Sequence, residues 1–204
     1  GDEFGDLAES FNRMTHHLAR TFGELSVMAE TGHFVTTRPQ VVDLVMTELR
    51  IMAQKLDFGW GLIAIGGAAL TGEDLVAGFG LPGGDGQSCR EVHRLDDGAL
   101  MAALRDHAAA HGPQMFRQDG GAWSPALPPG VEAHCARIGC GSFIMAPVAF
   151  ETVPMGILAV GSIAGGPPLM EKDRHLVVGI AAQTALAINN ILAFRQLEQS
   201  EARF

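Results

Sequence analysis

The sequence predicts an α+β domain built on an antiparallel sheet, with a long helix at each end. Three observations predict it. Helix-like and strand-like patterns run in the order helix, helix, hairpin, helix, strand, hairpin, helix, which favours antiparallel pairing of neighbouring strands. Apolar runs at 60–66 and 75–80, and again at 142–150 and 153–162, flank turn-forming residues. Apolar residues also alternate at spacings of four and three near both termini, the pattern of a coiled-coil seam.

Composition narrows the class. The chain has 204 residues, 47% of them hydrophobic and 18% charged, enough for one sizeable core and unlike a disordered tail. Its net charge of -9 argues against a general nucleic-acid or anionic-membrane binder. The three cysteines, Cys89, Cys135 and Cys140, form no disulfide framework and no C-x-x-C zinc spacing. A reducing, cytoplasmic setting follows. No initiator Met and no signal peptide are present, and the chain is expected to be a portion of something longer. The uncharged run Thr152–Met170 carries two glycines in its first ten residues, and then Gly165, Gly166, Pro167 and Pro168. It reads as a buried strand and a loop rather than a membrane span.

The elements follow in order. Leu7, Phe11, Met14, Leu18, Thr21, Leu25 and Met28 form one heptad seam, broken only by Thr21. So narrow a seam suits an identical partner helix over 5–21. Over 22–32, packing on its own domain is equally open. Gly32 breaks the helix, and Arg38-Pro39 restarts it with Val41, Leu44, Val45, Leu49 and Met52 as its apolar face, ending near Leu56. Strands at Trp60–Gly66 and Leu75–Gly80 follow, then a loop over 81–94. Asp96-Asp97 caps a helix from Gly98 to about His111. Gln114–Arg117 reads as a short strand, 118–132 as a long irregular loop, and Ala133–Ile138 as a short helix. Two apolar strands, Ser142–Phe150 and Val153–Ser162, precede a last helix that starts after Pro167-Pro168. Val177, Ile180, Thr184, Ala187, Ile191 and Phe194 line one of its faces, and Leu186, Ala193 and Leu197 another.

Three stretches carry family resemblances. Gly1-Asp2-Glu3-Phe4-Gly5-Asp6-Leu7 through Phe11-Asn12-Arg13-Met14 resembles the second-helix signature of HAMP domains. That resemblance implies a first HAMP helix and a membrane span upstream. The letters Gly1-Asp2-Glu3-Phe4 also match a diguanylate cyclase signature, but a heptad follows them instead of an apolar strand, so that reading is set aside. From about Phe22 to Phe194 the chain resembles a GAF domain. The match rests on Gly139-Cys140-Gly141-Ser142 leading to Pro147, on Gly156-Ile157-Leu158-Ala159-Val160, and on the Asp173–Asn190 helix. It implies a five- or six-stranded antiparallel sheet, helices on one face and a small-molecule cavity on the other. Leu197–Phe204 looks like the lead-in helix of a PAS domain. The expected layout is therefore a HAMP helix over 1–21, a GAF domain over 22–194 and a linker over 195–204.

Candidate chemistry is sparse. There is no G-x-S-x-G elbow, no H-E-x-x-H and no Walker A loop, so no enzyme is expected here. Leu81–Gly86 is Gly-rich but lacks the Lys and Ser/Thr of a phosphate cradle. His107 and His111 are four apart on a helix, as are Cys89 and His93 in a loop, but two ligands do not make a metal site. Haem would need one axial His, for which His93, His107, His111 and His134 are the candidates. Surface or core histidines are the simpler reading. The GAF family's bilin sites imply Cys followed by His, whereas this chain has His134-Cys135, and the cyclic-nucleotide pattern is missing too. No cofactor is assigned. Cys135 and Cys140, with Arg137 between them, could serve as redox thiols or simply fill the core. The remaining option is a small-molecule pocket walled by Trp60, Phe79, Cys89, His93, Met115, Phe116, Trp123, His134 and Met145. Here too the alternative is that these side chains only fill the core.

The sequence thus points to a sensing or relay module from the cytoplasmic portion of an inner-membrane receptor, such as a sensor histidine kinase. It would act as a parallel homodimer with a seam of Leu7, Phe11, Met14, Leu18, Leu25, Ile191 and Phe194. A ligand-free connector and a redox or haem-based gas sensor are the alternatives.

Overall fold

The computed structural model describes residues 40–66, 74–82, 88–89, 92–94 and 98–201. The expected HAMP helix with its seam residues Leu7, Phe11, Met14, Leu18 and Leu25, and the last three residues of the expected PAS lead-in, lie outside them. Helix α1 spans Val41–Lys55. Its residues Val41, Leu44, Val45, Leu49 and Met52 recur at helical spacing and are all fully buried. The Gln40 backbone N–H donates to the Asp43 carboxylate at 3.4 Å, which ties the first turn. Leu56 turns extended and ends the helix where expected.

The strands are β1 (Trp60–Ile65), β2 (Leu75–Phe79), β3 (Leu81–Pro82), β4 (Ser88–Cys89), β5 (His93–Arg94), β6 (Gln114–Asp119), β7 (Ala122–Ser124), β8 (Cys140–Phe150) and β9 (Val153–Ile163). Three further helices are α2 (Gly98–His111), α3 (Val131–Ile138) and α4 (Glu171–Glu201). One antiparallel sheet runs β5-β2-β1-β9-β8-β6-β7, and β3 and β4 pair separately. The edge strands β5 and β7 are only two and three residues long.

The expected loops at 81–94 and 118–132 contain strands. The second case has a clear cause. Gly120 and Gly121 adopt φ of 56° and 89°, the left-handed pair that a two-residue hairpin turn requires. Asp119 therefore faces Ala122, and β6 folds back as β7.

The central strands are buried on both faces, so they read as continuous apolar runs. Side-chain alternation sorts them into two cores. Ile63, Ile65, Phe79, Ile144, Val148, Leu158 and Val160 pack with α1 and with Val177, Ile180 and Ile188 of α4. Trp60, Leu62, Phe143, Met145, Ile157 and Ala159 face the other way and pack with Met101, Leu104 and Ala108 of α2 and Val131 and Cys135 of α3. The long helices therefore share one face, and two shorter ones cover the other.

The 26-residue stretch Glu171–Gln196 is long enough to cross a membrane and holds an apolar 18-residue window with a mean hydropathy of 1.7. Half of its apolar window is buried, so much of that apolarity serves the core. Ile191, expected in the dimer seam, is 6% exposed and belongs to the chain's own core, whereas Phe194 is 58% exposed. Between α1 and α4 lies a fully buried polar pair: the Thr184 hydroxyl is 2.9 Å from Glu48 Oε2 and 2.8 Å from the Ile180 carbonyl oxygen.

Two stability outcomes follow. Thr184→Val keeps the side-chain shape and removes a donor to a buried carboxylate. It should lower the unfolding free energy by about 1–3 kcal/mol, read as a lower urea midpoint at constant slope. An unchanged midpoint would mean that the hydroxyl serves only the Ile180 carbonyl. A methyl group at Gly156 would collide with the backbone carbonyl oxygen of Ala64 in the neighbouring strand. Gly156→Ala should therefore cost about 1–3 kcal/mol by overpacking, measured in the same way.

Candidate functional site

The site lies on the α2/α3 face of the sheet. Helix α3 is seated by Val131 and Cys135, four residues apart and both buried. It ends at Gly139, whose φ of 64° is left-handed and whose N–H donates to the Ala136 carbonyl oxygen at 3.2 Å. The Gly139 carbonyl oxygen in turn accepts from Ala164 N–H at 2.6 Å, which fixes the helix end against the far end of β9. Strand β8 then starts at once with Cys140.

The next residue decides where that thiol points. Cys140 pairs with Ile163 and Ser142 with Ser162, so Gly141 has no partner in β9 and forms a bulge. In a regular strand Cys140 would share a face with Ser142. The bulge puts it with Phe143 and Met145 instead, opposite Cys135. A cavity of about 190 Å³ lies there, lined by Gln118, Trp123, Glu132, Cys135, Gly139 and Cys140, among others.

An aromatic cluster backs the cavity. Phe143 stacks on Phe116 at 4.6 Å between centroids, meets Trp123 edge-on at 5.8 Å, and lies 5.9 Å from Trp60. Gly161 opposite Trp60 leaves room for the indole, which a Cβ there would strike. The Trp60 Nε1–H is buried and makes no full hydrogen bond among the described residues. It lies in the cluster with Cys140 and lowers that thiol's pKa, but less than the other effects raise it.

The two thiols act on each other. The two thiols share the cavity wall, and the neighbouring Cys140 thiol holds the Cys135 pKa below the usual thiol value despite burial and the nearby Glu132 charge. The same interaction, with burial added, pushes the Cys140 thiol up. Cys135 is thus the more acidic thiol of the pair. The Cys140 thiol donates to the Ser142 carbonyl oxygen at 3.6 Å.

Of the proposed pocket residues, Trp60, Phe116, Trp123 and Met145 meet on this face, together with both cysteines. Phe79 and Met115 do not. Phe79 shares its side of β2 with Leu75 and Ala77, and Met115 alternates with Phe116, so both pack in the α1/α4 core. His134 is half-buried on α3, with Nδ1 3.2 Å from the Gly130 carbonyl oxygen. Cys89 and His93 fall in β4 and β5; their side chains lie outside the described residues. Phe143, the centre of the cluster, was not among the expected residues. Its place two residues before Met145 on one strand was the available signal.

His107 and His111 stack at 4.2 Å. His107 Nε2–H donates to Gln114 Oε1 at 2.6 Å, and His111 Nδ1 is 3.0 Å from the His107 carbonyl oxygen. Among the described residues, no three His, Cys, Asp or Glu side chains are grouped to hold a metal ion.

No family model matches the sequence, and no curated protein shows significant similarity to it. The fold does have counterparts among solved structures. The GAF domain of a phosphoenolpyruvate-protein phosphotransferase from Coxiella burnetii superposes with a TM-score of 0.57 at 16% identity, over 86% of this chain and 98% of that one. The phycoerythrobilin-bound GAF domain of a cyanobacterial phytochrome gives 0.59 at 12% identity, over 84% and 97%. A segment of a methyl-accepting chemotaxis protein gives 0.53 at 16% identity, over 80% and 97%. The chain therefore has the fold of GAF domains.

The thiol pair gives an ordered reactivity. A small alkylating reagent should label Cys135 in the native protein at lower pH than Cys140, as read by peptide mass spectrometry. Cys140→Ala removes the donor that stabilises the Cys135 thiolate, so labelling of Cys135 at neutral pH should slow several-fold. Equal labelling of both positions at every pH would contradict this assignment.

Proposed function

We propose that the chain is a sensing or signal-relay module of a larger signalling protein, acting as a homodimer. The observation that carries this reading is the course of α4. One face is built into the sheet core through Val177, Ile180, Thr184, Ile188 and Ile191. Beside it Leu186 and Phe194 stand out of that core, 46% and 58% exposed. A change in sheet packing would therefore bias a helix that can meet a partner copy, which is a population shift between two helix arrangements. The resemblances of 1–21 to HAMP and of 197–204 to a PAS lead-in support a place between such domains. In that reading the parent is membrane-anchored, the module is cytoplasmic, and catalysis belongs to an output domain such as a kinase.

The described cavity of about 190 Å³ is below the roughly 300–1,000 Å³ typical of drug-sized ligand sites. That favours a small ligand or a pure relay over a tetrapyrrole. The His134-Cys135 order is likewise the reverse of the bilin attachment pattern.

Sedimentation equilibrium of the full chain tests the dimer. Phe194→Glu should weaken self-association at least tenfold, equivalent to about 1.4 kcal/mol, while thermal stability changes little because the residue is exposed. A wild-type chain that stays monomeric at high micromolar concentration would overturn the relay mechanism. A thermal-shift screen of small metabolites then separates receptor from connector: a receptor shows a saturable rise in Tm, a connector none.

A further inference from the structure

We propose that Cys135 and Cys140 form a peroxide-oxidised dithiol that closes to an intramolecular disulfide joining the end of α3 to the start of β8. This stands on the local geometry and does not depend on the sensing role proposed above.

Four observations converge. The left-handed Gly139 and the bulge at Gly141 bring two cysteines, five residues apart, onto one face of one cavity. Neither local feature is needed to continue a regular strand. Their joint effect is to set Cys140 against Cys135. Second, both thiols are buried in the same apolar cluster, and their interaction lowers the Cys135 pKa. Third, the cavity suits the oxidant by size. At roughly 30 Å³ per water-sized molecule, about 190 Å³ has room for a peroxide and water beside the thiols. Fourth, the buried Trp60 Nε1–H has no hydrogen-bond partner among the described residues and belongs to the same cluster as both cysteines.

The chemistry balances with hydrogen peroxide as oxidant. The Cys135 thiolate attacks one peroxide oxygen, an S–O bond forms and the O–O bond breaks. The departing hydroxide takes the Cys140 proton and leaves as water. The Cys140 thiolate then attacks the Cys135 sulfenic sulfur. The S–S bond forms, the S–O bond breaks, and hydroxide leaves to be protonated by solvent. Two thiols are oxidised by two electrons, and one peroxide is reduced to two waters.

The sequence supplies its own readout, because Arg137 lies between the two cysteines. Tryptic cleavage after Arg137 separates Cys135 from Cys140 unless a disulfide holds the two peptides together. Reduced full-length chain is treated with a modest excess of hydrogen peroxide, denatured with free thiols blocked, and digested. The expected result is the cross-linked peptide pair, lost on treatment with dithiothreitol. Cys140→Ser should stop at a sulfenic acid on Cys135, trapped by dimedone, and Cys89→Ser should leave the cross-link unchanged. The proposal is overturned if both thiols survive peroxide that oxidises Cys89, or if Cys89 replaces either partner in the disulfide. The wild-type map decides by itself, so a variant that fails to fold does not leave the question open.

Discussion

The central strands of this protein are apolar on both faces, and the rest of the structure follows from that constraint. A strand such as β1, with all six residues buried, cannot leave either side in water. Two covers are needed, and the chain provides them as α1 with α4, and α2 with α3. Strand alternation then divides the apolar residues between two cores separated by one layer of backbone. Two irregularities in the β8–β9 ladder adjust this division. Gly141 has no partner in β9, and Met155 has none in β8. The first turns Cys140 towards the cavity. The second puts Met155 in the α1/α4 core although Ile157, two residues on, faces the other way.

Much of this was legible in the sequence, because the signals were periodic or punctuated. The limits of α1 and α2 and the β1–β2 and β8–β9 pairs came from apolar spacing and turn residues. The β6–β7 hairpin was missed although Gly120-Gly121 carried its turn signal, because Pro125, Pro128 and Pro129 made the whole stretch read as loop. The site was half legible. Aromatic identity pointed to Trp60, Phe116 and Trp123, but identity does not say which face a strand residue occupies. Phe79 and Met115 therefore read as pocket residues although they face the α1/α4 core, and counting in twos from Phe116 separates Met115 from the pocket face. Pairing of Cys140 with Cys135 depends on the Gly141 bulge, and no periodicity reveals an extra residue in a ladder. Ile191 reads as a seam residue because a single helix face can serve either a core or a partner. The sheet claims it here.

The arrangement gives the two faces different characters. One holds the long helices and a buried polar pair, Glu48 with Thr184, which links α1 to α4. The other holds the aromatic cluster, the cavity and the two thiols. The backbone of β8 and β9 belongs to both. A chemical change at Cys140 would act at the start of the strand from which Ile144, Ala146 and Val148 pack into the core with α4. On this account the sheet is the transmitting element, the cavity face receives, and α4 carries the change out of the domain.

Hydrogen–deuterium exchange of the whole chain, compared between the reduced and peroxide-oxidised protein, tests that transmission most directly. The account predicts altered amide protection in the second half of α4, around residues 186–196, as well as at α3 and the start of β8. A change confined to α3 and β8, with α4 exchanging identically in both states, would contradict it.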